Sequence, residues 1–157
     1  MKKLNTVDKN IIRVLQKDGR TSFAELSRQV GLSATPCKER VKKLERDGVI
    51  KGYTALINPD YLDAGLVVFV QIRLSRSAKD TFEAFREAAM ELPEIQECYL
   101  VSGSFDYLLK ARVADMSSYR QFYGETLLTL PGVHECTSYV VMEEVKDTTV
   151  IPVYYNR

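Results

Sequence analysis

Apolar residues in the first 46 positions recur at helical spacing and predict three short helices. The first can be capped by Thr6 and ends at Asp18-Gly19, and its apolar stripe consists of Val7, Ile11, Ile12 and Leu15. The second is predicted from Ser22 to Val30, and Glu25 follows Ser22 at the spacing of a capping box. Both patterns indicate helices that bury one face in a small common core.

A tight turn separates the second helix from the third. Gly31 can adopt a positive φ, and Ser33 can cap a helix that ends at Asp47-Gly48 and tolerates Pro36 in its first turn. The positions of this helix that face inward are Cys37, Val41 and Leu44, and those left outward are Thr35, Lys38, Glu39, Lys42 and Lys43. The next segment, Val49–Ile57, is predicted to form a short β extension.

Two helices joined by a glycine-containing turn, the second rich in Lys and Arg, are typical of a helix-turn-helix. The N-terminal face of the second helix can meet base edges, while its cations and amide dipole meet phosphates. The sequence therefore predicts a DNA-binding domain over residues 1–52. The alternative is a generic three-helix cap whose charged face is only solvated.

Charge is divided unevenly along the 157 residues, although the net charge of the whole chain is only +1. Residues 1–57 carry a formal charge of +7, and residues 58–157 carry −6. Such an asymmetry indicates a polyanionic partner for the basic half, unless surface lysines are segregated by chance. It favours double-stranded DNA as the partner of the predicted helix-turn-helix.

The second half alternates strand and helix patterns in the order β-α-β-β-α-β. The predicted strands are Leu66–Leu74, Ile95–Ser102, Tyr107–Val113 and Cys136–Val145, and the predicted helices run from about Lys79 to Leu92 and from Ser117 to Leu130. Leu92–Cys98 and Leu130–Cys136 both read L-P-x-[I/V]-x-E-C, 38 residues apart. The chain is therefore predicted to be α+β, with a ferredoxin-like sandwich over 66–157 that a linker, 53–65, joins to the first domain.

One face of the predicted sheet has no helix to cover it. Val67 and Phe69 alternate with Val68 and Val70 in the first strand, so both of its faces are apolar there. An uncovered apolar face favours association of sheets from two subunits. The alternative is that the N-terminal domain folds back over this face.

Composition excludes several classes of protein. No stretch approaches the ~20 apolar residues that a membrane span needs, so no membrane partner is expected. Three widely spaced cysteines and one histidine offer neither a disulfide framework nor a zinc site, and they fit a reducing cytoplasm. No phosphate-binding glycine loop is present, His134 stands alone, and the neighbouring Glu143 and Glu144 point to opposite faces of a strand. An enzyme with a ferredoxin-like fold is thus the weaker interpretation.

Three segments carry a resemblance to a known family. The runs GLSATPCKERVKKLERDGVIKGYTALINP, EIQECYLVSGSFDYLLK and YVVMEEVK look like the Lrp/AsnC family of feast/famine regulators, and they occur in that family's order. The resemblance covers about Leu4 to Lys146. It implies an amino-acid-responsive transcription regulator, cytoplasmic and associated with the nucleoid, whose homodimers assemble into tetramers, octamers or hexadecamers and bind the amino acid between dimers.

The resemblance also places the two functional sites. The recognition helix falls on Ser33–Arg46, where we expect Thr35 and Lys38 at base edges and Arg40, Lys42 and Lys43 at phosphates. The complete predicted DNA-contacting set is Ser33, Thr35, Pro36, Lys38, Glu39, Arg40, Lys42 and Lys43. The effector-response positions fall on Leu100, Gly103, Asp106, Met116, Val140 and Val141. No cofactor or metal is expected besides the amino acid, for which leucine is the leading candidate, with alanine or methionine next.

The Gly103–Asp106 turn allows two interpretations. Gly and Asp are ordinary residues of a hairpin loop, so the residues alone leave a binding role open. Under the resemblance, the carboxylate of Asp106 suits the ammonium group of an amino acid, and turn amides suit its carboxylate. Ser104 departs from the family's turn and lies where it can affect the ligand, and the tail, Thr148–Arg157, departs as well. An architectural DNA-compacting protein without an effector remains the alternative function.

Overall fold

The computed structural model describes residues 4–75 and 80–155. The described chain forms two compact units: one contains residues 4–56 together with 146–155, and the other contains residues 57–145. The sequence placed residues 146–157 with the C-terminal domain, whereas the tail instead lies with the N-terminal helices. The first unit is therefore built from two separate parts of the chain.

Three helices form the first unit: α1 (Thr6–Lys17), α2 (Phe23–Val30) and α3 (Ala34–Arg46). Their apolar faces meet in a core made of Ile11, Leu26, Val30, Cys37, Val41 and Leu44. The inward face predicted for α3 is confirmed, since Cys37, Val41 and Leu44 are all buried. Gly31 has a φ of 71° and ends α2 in the left-handed region, as the tight turn to α3 requires.

The helix caps differ in part from the prediction. Asn5, not Thr6, is the N-cap of α1: its side chain accepts from the Asp8 amide at 2.8 Å, and the Asp8 carboxylate accepts from the Asn5 amide. Ser22 caps α2 as expected, whereas Ser33 occupies the cap position of α3 without a side-chain hydrogen bond. Asn5 forms the reciprocal capping box because its partner Asp8 lies three residues along.

The predicted β extension at Val49–Ile57 is wrong, because this segment belongs to none of the strands in the described chain. Its β-branched and aromatic residues favour a strand, but a strand also needs a hydrogen-bonded neighbour. Leu56 and Ile57 are 84% and 60% exposed. A short 3-10 helix, Pro59–Leu62, follows in the second unit.

The second unit follows the predicted β-α-β-β-α-β order. Its strands are β1 (Leu66–Leu74), β2 (Ile95–Leu100), β3 (Tyr107–Val113) and β4 (Val133–Val140). Its helices are α4 (Thr81–Met90) and α5 (Met116–Gln121), the latter continued by a π turn, Phe122–Thr126, and a 3-10 turn, Leu127–Thr129. The strands form one antiparallel sheet in the order β2-β3-β1-β4, so the ferredoxin-like prediction is confirmed.

The predicted bounds of these elements are correct for β1 and β3 and differ elsewhere. β4 begins at Val133, three residues before the predicted start, and ends at Val140 instead of Val145. The predicted start of α4, Lys79, lies outside the described residues. The two copies of the sequence repeat form the same type of turn. The Ile95 amide donates to the Leu92 carbonyl at 3.1 Å in the first copy, and the Val133 amide donates to the Leu130 carbonyl at 3.2 Å in the second.

The core of the second unit lies on one face of the sheet. Alternate residues of β1 and β3 are buried there: Val68, Val70, Ile72, Leu74, Tyr107, Leu109, Ala111 and Val113. Phe85 of α4 and Tyr119 and Phe122 of the α5 region pack against them. The opposite face carries Phe69, Tyr99 and Tyr139, which remain 36%, 52% and 50% exposed in the single chain.

We expect two glycine substitutions in this unit to have opposite effects. Gly132 has a φ of 73°, and a Cβ there would collide with the side chain of the buried Thr81, whereas Gly124 has open space around it. Gly132→Ala should lower the free energy of unfolding by about 2–4 kcal/mol, through backbone strain and a steric clash. Gly124→Ala should raise it by about 0.4–1 kcal/mol. Urea denaturation of both variants checks this, and equal effects would contradict the packing at Gly132.

Candidate functional site

Helix α3 presents an exposed polar face at its N-terminal end. The predicted DNA-contacting residues exposed in the structure are Ser33, Thr35, Pro36, Lys38, Glu39, Lys42 and Lys43. This face is opposite the buried stripe of Cys37, Val41 and Leu44, so the helix cannot rotate without exposing its core. The arrangement offers cations and short polar side chains on the same exposed surface.

Arg40 differs from the other predicted contacts because its ion-pair partner lies on a different helix of the unit. Its Nη1 lies 3.0 Å from Oδ1 of Asp8, and both side chains are partly buried. Asp8 thus both caps α1 and joins it to α3. Lys42 lies 3.5 Å from Glu39 in an exposed pair, which contributes little to stability because solvent screens it. Lys42 therefore remains available for phosphates, whereas Arg40 fixes the position of α3.

The turn between β2 and β3 is fixed by hydrogen bonds of Asp106. Its Oδ2 accepts from the Leu74 amide at 2.8 Å, and its own amide donates to the Ile72 carbonyl at 2.9 Å. Its carbonyl accepts from the Val101 amide at 2.9 Å. Asp106 therefore links the end of β1 to both sides of the turn, while its second carboxylate oxygen, Oδ1, points to no partner among the contacts described.

Arg73 of β1 braces the same turn from the other side. Its Nε and Nη2 donate to the Ser104 carbonyl at 3.0 and 2.7 Å, and its Nη1 contacts the Glu135 carboxylate of β4 at 2.7 Å. The guanidinium group can reach both because its donors diverge in one plane. Arg73 thereby holds together the turn, β1 and β4.

A surface depression of about 410 Å³ lies beside this turn. Its lining residues are Arg73, Leu74, Ser75, Gly103, Ser104, Asp106 and His134. Sequence reasoning missed Arg73, Ser75 and His134 as members of this site. Arg73 and Glu135 are paired directly across two strands, a register that the alternation of residues within a single strand does not reveal.

The predicted effector residues fall into two groups at opposite ends of the sheet. Gly103, Ser104 and Asp106 line the depression, and Leu100 ends the strand that leads to it. Val140 instead pairs with Val68, and the Val141 amide donates to the Val67 carbonyl. Met116 begins α5, after the far end of β3. Because Val68 and Ile72 are four residues apart in β1, the two groups are separated by roughly 13 Å.

The described residues offer little chemistry of other kinds. They contain no group of three His, Cys, Asp or Glu side chains placed to hold a metal ion. Burial raises the pKa of the Cys37 thiol and raises that of Cys136 to about 11, so both thiols stay protonated near neutral pH. Within the same residues, no helix is both long enough and apolar enough to cross a membrane.

Two family models match the chain, one for each half. Residues 4–51 match a winged helix-turn-helix DNA-binding model, and residues 67–151 match the Lrp/AsnC ligand binding domain. The first match contains α1, α2 and α3, and the second contains β2, β3, β4 and all of β1 except Leu66.

Known proteins are similar to this chain over nearly its whole length. The leucine-responsive regulatory proteins of Klebsiella pneumoniae and Escherichia coli K12 are each 64% identical over 94% of this chain and 90% of theirs. A transcriptional regulator from Neisseria meningitidis, solved with L-Met, is 39% identical, with a TM-score of 0.91 over 96% of this chain and 97% of its own. An AsnC family regulator from Agrobacterium tumefaciens is 36% identical, with a TM-score of 0.92 over 98% and 100%.

These similarities settle the class of protein. The relatives are transcription regulators and not enzymes, so the enzymatic alternative is set aside. The exposed face of α3 lies in the DNA-binding match, and the Gly103–Asp106 turn lies in the ligand-binding match. The chain belongs to the Lrp/AsnC family, as a DNA-binding transcription regulator with an amino-acid-responsive C-terminal domain.

Proposed function

We propose that this chain is a cytoplasmic, leucine-responsive regulator whose assembly and DNA binding change when leucine occupies the site beside the Gly103–Asp106 turn. The observation that carries the choice of leucine is the 64% identity with leucine-responsive regulatory proteins. The L-Met complex of the 39% identical Neisseria regulator supports methionine as the next candidate. Leucine and methionine both combine an α-amino and α-carboxylate head with an apolar side chain, so one type of site suits both.

Asp106 is the proposed partner of the ammonium group. Oδ2 is engaged by the Leu74 amide, which holds the carboxylate in place, and Oδ1 is left to accept from the ligand. Amides of the Gly103-containing turn can donate to the ligand carboxylate. Leu100, Met116, Val140 and Val141 are proposed to provide apolar contacts, and the distance between the two groups requires a second subunit to bring them together.

The proposed dimer is formed through the open face of the sheet. Phe69, Tyr99 and Tyr139 are aromatic and exposed on this face, and Phe69 pairs directly with Tyr139. Burying such side chains contributes about 1.5–3 kcal/mol each and favours self-association. The exposed side chains of Leu56 and Ile57 offer further apolar contacts for a second copy. Assembly of dimers into octamers or other oligomers is part of the same proposal.

The first prediction here concerns DNA. Lys42→Ala should weaken binding about equally on a duplex selected for this protein and on a random duplex, and should reduce the slope of log affinity against log salt by roughly one. The reason is that Lys42 is placed to neutralise a phosphate and to contact no base. Fluorescence anisotropy across salt concentrations measures both. Lys51→Ala, an exposed lysine outside α3, is the control. An altered sequence preference with an unchanged salt slope would show that the proposed orientation of α3 on the duplex is wrong.

A second prediction concerns the effector. Asp106→Asn keeps an oxygen for the Leu74 amide but removes the charge, so it should fold and bind DNA while binding leucine about 10- to 100-fold more weakly. Calorimetry on wild type and variant measures this, with Asp63→Asn, an exposed position outside the turn, as the control.

Two outcomes would contradict the proposal in different ways. If Asp106→Asn binds leucine as tightly as wild type, Asp106 is only a turn residue and the ammonium partner lies elsewhere. If a thermal-shift screen of the twenty amino acids stabilises neither protein, the effector proposal fails and the architectural alternative gains. A ligand specific to the native state should add about 2.7 kcal/mol at a hundredfold excess over Kd.

A further inference from the structure

The C-terminal tail contacts the outer face of α1 at several points. We define the arm as residues 148–155, the described part of the tail that the family resemblance did not cover. The arm and α1 belong to the same compact unit although 130 or more residues separate their contacting positions along the chain. Contacts between segments this distant in sequence form only if the native structure brings them together.

Gln16 of α1 binds the backbone of the arm through both ends of its amide. Its Nε2 donates to the Ile151 carbonyl at 3.0 Å, and its Oε1 accepts from the Ile151 amide at 2.7 Å. A side-chain amide has both a donor and an acceptor, so it can satisfy an extended residue as a neighbouring strand would. This contact is made to the backbone alone and is therefore tolerant of the side chain that the residue carries.

Tyr155 supplies the side-chain recognition at the other end of the arm. Its hydroxyl donates to Oδ1 of Asn10 at 2.7 Å, and the cations of Lys9 and Arg13 lie 6.0 and 5.8 Å from its ring centroid. Lys9 also donates to the Tyr154 carbonyl at 2.6 Å. An aromatic ring beside two cations is electrostatically favoured because its face is electron-rich.

The spacing of these contacts fits an extended segment on a helix. Lys9, Arg13 and Gln16 are four and three residues apart, so they share one face of α1, away from the buried Ile11. That face is about 10 Å long, and an extended segment from Ile151 to Tyr155 spans about 13 Å. The arm is therefore long enough to reach both ends of the site.

Polar contacts, and not apolar burial, hold the arm in place. Ile151 remains 73% exposed and Tyr155 41% exposed while they are bound to α1. A segment held in this way has a low local stability and can be released without unfolding the core beneath it. The core residues of the first unit do not include any residue of the arm.

We propose that the outer face of α1 is a docking site for the chain's own arm and that the docked arm pre-organises the DNA-binding unit. The chain enters this unit twice, through residue 56 and again through residue 146, so a docked arm makes two covalent connections to the second unit instead of one. The second connection restricts the motion of the helix-turn-helix. Restricting it before binding raises DNA affinity because less conformational freedom is lost on the duplex.

The test uses the full-length double variant Gln16→Ala/Tyr155→Phe, which removes three hydrogen bonds and leaves the core intact. The control is Gln121→Ala/Tyr61→Phe, which makes the same chemical changes on side chains of the second unit. Amide hydrogen exchange of residues 148–155 should accelerate at least tenfold in the double variant. Affinity for a duplex selected on the wild type should fall about three- to tenfold with an unchanged salt slope, because no phosphate contact is lost. The control should match wild type in both measurements.

Three results would overturn the proposal. Unchanged exchange of the arm would show that α1 does not hold it. Faster exchange with unchanged DNA affinity would show that the docked arm does not pre-organise the unit. A fall in affinity accompanied by a lower salt slope would show that the substitutions remove a direct DNA contact. Tyr155→Phe alone removes one exposed hydroxyl and should leave the fold intact. This single variant should show a smaller rise in exchange and a smaller fall in affinity, which separates release of the arm from a general loss of folding.

Discussion

The hydrogen-bonded ladders on both sides of β1 set the register of the sheet in the second unit. This strand pairs with β3 on one side and β4 on the other, so its register determines where every other strand begins. Its inward residues, among them Val70 and Ile72, are fully buried beneath the helices, and a slip by one position would expose them. The same register places Arg73 opposite Glu135 and the Leu74 amide against Asp106. Packing in the core thereby positions the candidate site at the end of the strand.

In the first unit, a side-chain ion pair between helices positions the functional surface. Asp8 caps α1 and pairs with Arg40 of α3, so one carboxylate orients two helices. The buried Cys37, Val41 and Leu44 then set which side of α3 meets solvent. In each unit, buried apolar side chains and a polar side-chain contact thus determine which residues form the exposed functional surface. The arm on α1 differs, since exposed polar contacts hold it and it can be released without unfolding the core.

How much the sequence predicts depends on how local each feature is. β1 and β3 are predicted to the residue because the apolar residues that mark each strand lie within the strand itself, without reference to a distant segment. Val49–Ile57 fails because β propensity says nothing of whether a neighbouring strand is present. The sequence did not predict that Arg73 and His134 line the depression or that Gln16 contacts Ile151. Each of these features depends on strand register or on packing between segments that are distant in the sequence. The Gly103–Asp106 turn was found through the family resemblance, because its residues alone are those of any loop.

We infer that the effector site is complete only when subunits meet, because Asp106 and Val140 lie at opposite ends of one sheet. The most direct measurement is equilibrium dialysis with radiolabelled leucine across a dilution series, with sedimentation velocity recording the assembly at each protein concentration. Leucine bound per chain should rise and fall with the assembled fraction, because dissociated chains lack half of the site. Leucine bound equally well by dissociated chains would contradict it and would place the whole site within a single subunit.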